Sequence, residues 1–339
     1  MPDAVKESAN SRVDLAQIKM VLSDVWNAGR LLVDRDERLK SALVEQVRVL
    51  PSHGAGQHVQ SLFAEIAKKP GKIIVSNKQS VKGTDYHIAK QLAYSEKLDG
   101  VMVDTKSLNR LEKDKETLSK IAFTPRLYAD SHVYDLKSEY TTTLNLGEMS
   151  ADKFAELFSR LTRHSKKISI YDKQIGRGNN VESFLKGIGL ISKHWKGSKN
   201  FDPTCCSLEI NTLVEHHIRK GLESHRTKEV DLIHQQFKKV LDKLVKPLAT
   251  YLGIPVTLRF KRCEEEYHYR EYHARYLKTD ASLLHIDTGF DFVNTSSQPR
   301  AEPYRECPIQ IVANRLLEPW ANLDDFLCQT YTTPKGHQG

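Results

Sequence analysis

The residues best suited to chemistry lie in the segment Tyr272–Asp280, which places His273, Arg275 and Asp280 in the pattern H-x-R-x4-D. Side chains two residues apart on a β-strand share one face. On a strand, His273 and Arg275 therefore point together at one ligand. Arginine offers fixed donors to phosphoryl oxygens, and histidine can attack phosphorus or move a proton near neutral pH. The pattern predicts a phosphate site in which Asp280 orients one of the other two residues.

The elements that must position this segment follow from hydrophobic spacing. A unit beginning near Thr141–Gly147 shows helix patterns at Ala151–Thr162, Val181–His194 and Lys228–Leu252, and strand patterns at Lys167–Tyr171, Cys205–Asn211 and Pro255–Phe260. Two extended segments joined at Thr279–Ser282 come next. The alternating order predicts a parallel or mixed sheet covered by helices on both faces. A helix around Leu323 and a mobile polar tail at residues 332–339 complete the prediction.

The N-terminal part predicts a separate small α/β domain over residues 1–140. Apolar residues recur at helical spacing between residues 14 and 48, which indicates one or two amphipathic helices. The runs Lys72–Ser76 and Gly100–Asp104 flank a helical stretch at Tyr86–Lys97 and predict a β-α-β unit. Asp104 ends the second run, and we interpret it as a solvated strand end.

Composition limits the class of protein. The chain has 339 residues, enough for two domains, and a net charge of +8, which favours an anionic partner such as nucleic acid or an acidic membrane surface. Five cysteines without zinc-ligand spacing predict no disulfide scaffold, a reducing compartment and no metal. No apolar run approaches the roughly 20 residues of a membrane span, and the N-terminus lacks the apolar core of a signal peptide, so we expect a cytoplasmic protein.

The H-x-R-x4-D pattern and the order of strands and helices before it make the segment from about 150 to 300 resemble the phospholipase D superfamily. His273 matches the signature histidine and Asp280 the signature aspartate, while Arg275 stands where lysine is usual. Gly289 corresponds to the glycine after the next strand. The resemblance is closest to a divergent single-motif module, and it implies an α/β/α sandwich with a mixed sheet over residues 141–331.

The resemblance also implies a mechanism. His273 would form a phosphohistidine, a second histidine would protonate the leaving oxygen, and Arg275 with Lys278 would hold the phosphate without metal or cofactor. Asp172 and Lys173, at the end of the first strand, would lie close to His273 and contribute to phosphate binding. Members with one motif per chain build the site at a two-fold interface, which implies a homodimer with His273 of both chains near the axis. The alternative is that His268 or His285 is the second histidine within one chain, in which case a monomer suffices.

Three functions follow as hypotheses. The first is a metal-independent nuclease acting on DNA or RNA, by analogy suited to microbial defence, with a protein partner or substrate recognised by the N-terminal domain. The second is a non-catalytic module that binds nucleic acid or, less favoured, acidic membranes. The third is a dimerising interaction subunit. The other polar residues of the segment are interpreted as structural or solvated. His268 and Arg270 form a charged strand face, and Glu264–Glu266 are solvated carboxylates. His285 and Asp287 form a cross-strand pair.

Overall fold

The chain folds into two compact units, Met1–Thr141 and Thr142–Gly339. The computed structural model describes residues 2–27, 29–69, 71–76, 84–96, 98–175, 181–198, 200–214, 226–262, 272, 274–293, 304–312 and 314–333. Within these ranges, no helix is both long and apolar enough to cross a bilayer.

The first unit is mainly helical. Its elements are α1 Pro2–Ser8, α2 Arg12–Asn27, β1 Leu31–Val33, α3 Arg38–Arg48, α4 Gly54–Lys68, β2 Ile73–Val75, α5 Asp85–Glu96, β3 Val101–Met102, α6 Thr105–Lys113, β4 Ala122–Phe123 and α7 His132–Thr141. Its main core joins apolar side chains of α1–α4 with Met102, Phe123 and Tyr128. Asp104 accepts a hydrogen bond of 2.6 Å from the Ser107 N–H and so caps α6.

Strand pairing in this unit differs from the predicted β-α-β arrangement. β1 pairs with β2 and β3 pairs with β4, both in parallel, so the two predicted strands belong to different two-stranded sheets. β1 falls inside the stretch that was predicted to be helical. Its end is defined by Asp34, whose carboxylate accepts the N–H groups of Arg38 and Leu39 and thereby starts α3. A run of three apolar residues is too short for its strand pattern to be distinguished from the helical patterns on either side.

One lysine of this unit is buried with its ammonium group against backbone carbonyl oxygens. The Lys72 side chain has no exposed surface, and its Nζ donates to the carbonyl oxygens of Val25, at 2.9 Å, and Gly29, at 3.0 Å. Burial, together with the nearby charges of Lys69 and Arg30, lowers the pKa of Lys72 to about 7. The amine therefore closes the C-terminal end of α2 at the cost of burying a charge.

This lysine predicts a pH-dependent stability. The unfolded chain keeps Lys72 protonated up to its ordinary pKa of 10.5, whereas the folded chain releases the proton near pH 7. The unfolded state thus binds more protons between these values, and the free energy of unfolding rises with pH. We expect a gain of about 1.5 kcal/mol from pH 7 to 8.5. Hydrogen exchange of α2 and β2 amides, compared at each pH with Lys72→Met and the exposed control Lys68→Met, measures it. Equal pH slopes in all three proteins would contradict the assignment.

The second unit is built on an eight-stranded mixed sheet. Its elements are β5 Leu144–Asn145, α8 Ala151–Thr162, β6 Lys167–Tyr171, α9 Val181–Lys196, β7 Ser207–Leu213, α10 Arg226–Val240, a π-helical turn Leu241–Val245, α11 Lys246–Leu252, β8 Val256–Arg262, β9 Arg275–Lys278, β10 Leu283–Ile286, β11 Pro308–Val312, α12 Glu318–Ala321 and β12 Asp324–Tyr331. The strand order is β12-β8-β7-β6-β9-β10-β11-β5. β6, β7 and β8 are parallel, and the remaining pairs are antiparallel.

The long helices cover one face of this sheet. The connections from β6 to β7 and from β7 to β8 advance in the same direction, so right-handed crossovers place α9 and the α10–α11 segment on the same side. The opposite face is covered by a short segment, in which Leu317 and Trp320 pack against Leu213, Tyr276 and Leu283. Among the described residues, the long helices thus lie on one face of the sheet, and the other face carries the short helix α12. The mixed sheet is confirmed.

The C-terminal region also departs from the prediction. The helix expected around Leu323 is the short α12, which ends at Ala321, and the residues that follow form the edge strand β12, which pairs with β8 from Asp324 to Tyr331 with one register irregularity. Phe326, Thr330 and Tyr331 favour a strand, and an available sheet edge decides the outcome for such a short polar segment. The first residues of the predicted mobile tail contact the rest of the unit, because the Thr333 hydroxyl donates a hydrogen bond to the Ala249 carbonyl oxygen at 3.2 Å. Residues 334–339 lie outside the described ranges.

Candidate active site

Asp172 and Arg275 face each other across the junction of β6 and β9. The strands are antiparallel and bring Tyr171 opposite Tyr276, so one position further Asp172 lies beside Arg275 on the helix-covered face. The Arg275 Nε lies 3.8 Å from Asp172 Oδ1. At that separation the contact is an ion pair rather than a hydrogen bond. The register places opposite charges together at the carboxyl end of β6.

The loop after β10 closes over this pair. The Arg275 Nη1 donates a hydrogen bond to the carbonyl oxygen of Asp287. Gly289 follows with a φ of +94°, in the left-handed region that favours glycine. A Cβ at this position would lie 2.6 Å from Asp172 Oδ2 and 3.3 Å from Arg275 Cδ. The glycine therefore lets the loop backbone approach both charged side chains.

A second glycine holds the same loop against helix α9. A Cβ at Gly187 would lie 1.8 Å from the carbonyl oxygen of Phe290, far closer than two non-bonded heavy atoms can approach. Gly189, two residues further along the helix, has open space where its Cβ would be. A glycine inside a helical pattern often marks a close backbone approach. Gly187 is therefore a sequence signal for this contact that the prediction of the helix did not include.

Burial dominates the electrostatics of Asp172. Its side chain has no exposed surface, and its Oδ1 accepts the Gln174 N–H at 2.8 Å. Burial raises the pKa of the Asp172 carboxyl to about 6, although the Gln174 N–H and the Arg275 guanidinium oppose the rise. Arg275, in contrast, keeps 14% of its side-chain surface exposed. The site thus combines a buried acid with a partly accessible guanidinium.

No protein-family model matches this chain, and no curated protein matches it. Among the described residues, no group of three or more His, Cys, Asp or Glu side chains is placed to hold a metal ion. The interpretation of the site therefore depends on its own geometry.

Two of the predicted site residues lie away from Arg275. Lys278 is exposed and three positions along β9, so its side chain points to the opposite face of the sheet. Asp280 lies beyond the far end of β9, where its Oδ2 accepts the N–H groups of Lys166, at 2.7 Å, and Lys167, at 3.4 Å. The structure therefore separates Lys278 from Arg275 and Asp280 from Arg275, whereas the prediction that Asp280 orients His273 concerns a residue outside the described ranges. Strand alternation separates the first pair, and strand length separates the second.

The other predicted residues have mixed outcomes. Lys173 follows Asp172 directly and is buried. His273 lies outside the described residues, as do His268, Arg270 and Glu264–Glu266. His285 lies on β10 opposite Tyr276, with the two rings 5.6 Å apart, on the face away from Arg275. Among the described residues, Asp172 and Arg275 are the predicted site residues that the fold brings into contact.

The hydrogen bond between Arg275 and the backbone carbonyl of Asp287 was not predicted from the sequence. The contact uses the backbone carbonyl, so the residue type gives no signal for it. The sequence predicts a cross-strand pair for His285 and Asp287, but the cross-strand neighbours of His285 are Tyr276 and Gln310.

Proposed function

We propose that this chain is a metal-independent phosphodiesterase of the phospholipase D-like type that acts as a nuclease. One observation carries the proposal: the Arg275 guanidinium is anchored beside Asp172 and under the Gly289 loop, yet remains partly exposed. Anchored guanidinium groups suit the tetrahedral oxygens of a phosphodiester. The net charge of +8 supports a polyanionic substrate.

His273 lies two residues before Arg275 in sequence and is the proposed nucleophile. Its ring nitrogen attacks phosphorus, and the bond from phosphorus to the leaving oxygen breaks as a phosphohistidine forms. A general acid gives the leaving oxygen a proton, and water then hydrolyses the phosphohistidine. Arg275 stabilises the negative charge on the phosphoryl oxygens during both steps. The second histidine that serves as acid comes from a partner subunit in the homodimer that we also propose.

The experiment is cleavage of single-stranded DNA, plasmid DNA and RNA by the full chain in excess EDTA. Arg275→Gln removes the anchored charge, and Lys278→Gln removes a charge from the same strand but the opposite face. We expect cleavage by the wild type, a loss of about 10²-fold or more in Arg275→Gln, and little change in Lys278→Gln. Cleavage that requires a divalent cation, or equal effects of the two variants, would contradict the proposal.

The second candidate function is a binding module without catalysis. It is favoured by the placement of Lys278 and Asp280, which leaves Arg275 without the lysine that the resemblance assigned to the same phosphate. A folded chain that binds nucleic acid in EDTA and cleaves none of the three substrates would establish this alternative.

Nucleic-acid binding should depend strongly on salt. Lysine and arginine side chains that neutralise phosphates release condensed counterions, so affinity falls as salt rises. We expect a loss of about 10²-fold or more between roughly 50 and 200 mM salt if several phosphates are contacted. Fluorescence anisotropy with a labelled single-stranded oligonucleotide measures it. An affinity that stays constant over this range would instead favour a protein partner.

A further inference from the structure

We infer that Asp172 is a positioning residue that fixes the orientation of the Arg275 guanidinium for phosphate binding. The inference rests on the proposed function, because it assigns a role within the same site. It also replaces the expectation that Asp172 itself binds phosphate. A carboxylate and a phosphate repel each other, and a fully buried side chain cannot reach a ligand in solvent.

The first step of the argument is that Asp172 is itself fixed. Its backbone N–H continues the ladder to β7 by donating to the Asn211 carbonyl at 3.0 Å. Its Oδ1 accepts the Gln174 N–H at 2.8 Å, and Gly289 lies against its Oδ2. The backbone pairing, the hydrogen bond to Oδ1 and the close approach of Gly289 to Oδ2 leave the carboxylate little room to move, so it is a stationary charge near the guanidinium.

The second step concerns the nitrogens of Arg275. Nε is buried and faces Asp172, while Nη1 donates to the carbonyl oxygen of Asp287. These two contacts determine the plane and the direction of a rigid, planar group. Nη2 makes no hydrogen bond to any residue in the described part of the chain. The anchored arginine therefore keeps donors free for an anion.

The third step is that fold stability does not explain the pair. A buried ion pair contributes little net stability, because desolvation offsets the attraction. Here the pKa of Asp172 is raised, so its ionised form is less stable in the folded chain than in water. The loop also requires a glycine in a left-handed conformation to admit the carboxylate. Such local costs are typical of sites retained for function.

The test is a double-mutant cycle on oligonucleotide affinity. All proteins carry His273→Ala so that the probe, a fluorescein-labelled 12-nucleotide single-stranded DNA, stays intact in EDTA at pH 7.5. Asp172→Ala removes the carboxylate, Asp172→Leu removes it while filling the space, and Asp172→Asn keeps an oxygen in the same place. Each is measured with Arg275 present and with Arg275→Met. Hydrogen exchange of β9 and β10 amides reports whether the unit remains folded.

We expect Asp172→Ala and Asp172→Leu to weaken binding about 10-fold, and Asp172→Asn to stay within about 3-fold of the parent. In the Arg275→Met background, the same changes should alter affinity less than 2-fold, because Asp172 acts through Arg275. Unchanged or tighter binding of the alanine and leucine variants, or equal losses in both backgrounds, would overturn the inference alone. A folded parent that does not bind the probe would overturn the proposed function as well.

Discussion

Replacing His273 with alanine is expected to abolish EDTA-resistant cleavage, with a loss of at least about 10³-fold in rate. A nucleophile that forms a covalent intermediate cannot be replaced by neighbouring groups that only bind the phosphate. His285→Ala is the matched control, because that histidine lies on β10 with its ring against Tyr276, on the face away from Arg275. Its removal should leave cleavage within a few-fold of the wild type. The measurement is the initial rate on single-stranded DNA in excess EDTA.

The same substitution tests the shared site. If a partner subunit supplies the general acid, dimers formed from one wild-type and one His273→Ala chain should have little activity. Co-expression with two different affinity tags allows the mixed dimers to be isolated. Full activity of mixed dimers, or of a 38.7 kDa monomer in light scattering, would exclude the shared arrangement. Cleavage that survives His273→Ala would exclude the nucleophile itself.

Gly187→Ala is expected to be the most destabilising of the conservative substitutions considered for the second unit. The new Cβ would lie 1.8 Å from the Phe290 carbonyl oxygen, so the backbone of either α9 or the loop must move. We expect a loss of about 3 kcal/mol or more in the free energy of unfolding. The displaced loop carries Asp287 and Gly289, so oligonucleotide binding should fall as well.

Gly189→Ala in the same helix is the control. Its Cβ meets no atom within 4 Å, and alanine has a higher helix propensity than glycine. In this variant the free energy of unfolding should rise by up to about 1 kcal/mol, and oligonucleotide binding should match that of the wild type. Urea denaturation with hydrogen exchange of α9 amides measures both variants. Equal stabilities of the two proteins would show that the loop does not press on the helix at Gly187.

The elements with strong local periodicity were predictable from the sequence. β6 has the bounds predicted from the run KISIY, α9 extends the predicted helix by two residues, and the hairpin of β9 and β10 turns within Thr279–Ser282 as expected. The alternating order of helices and strands predicted a parallel or mixed sheet, and the sheet is mixed. These features depend on side-chain spacing and turn chemistry within a few residues of the chain, which the sequence records directly.

The tertiary structure decided which side chains meet. β12 is a strand because β8 offers it an edge, and no local pattern in residues 324–331 contains that information. The ion pair of Asp172 and Arg275 depends on the antiparallel register of β6 and β9, which joins residues 103 positions apart in sequence. Register also separates Lys278 and Asp280 from that pair, although both are closer to Arg275 along the chain. Residues close together along one strand can point to opposite faces or lie at opposite ends of it. Residues opposite each other on paired strands are in contact, and only the folded sheet determines which residues these are.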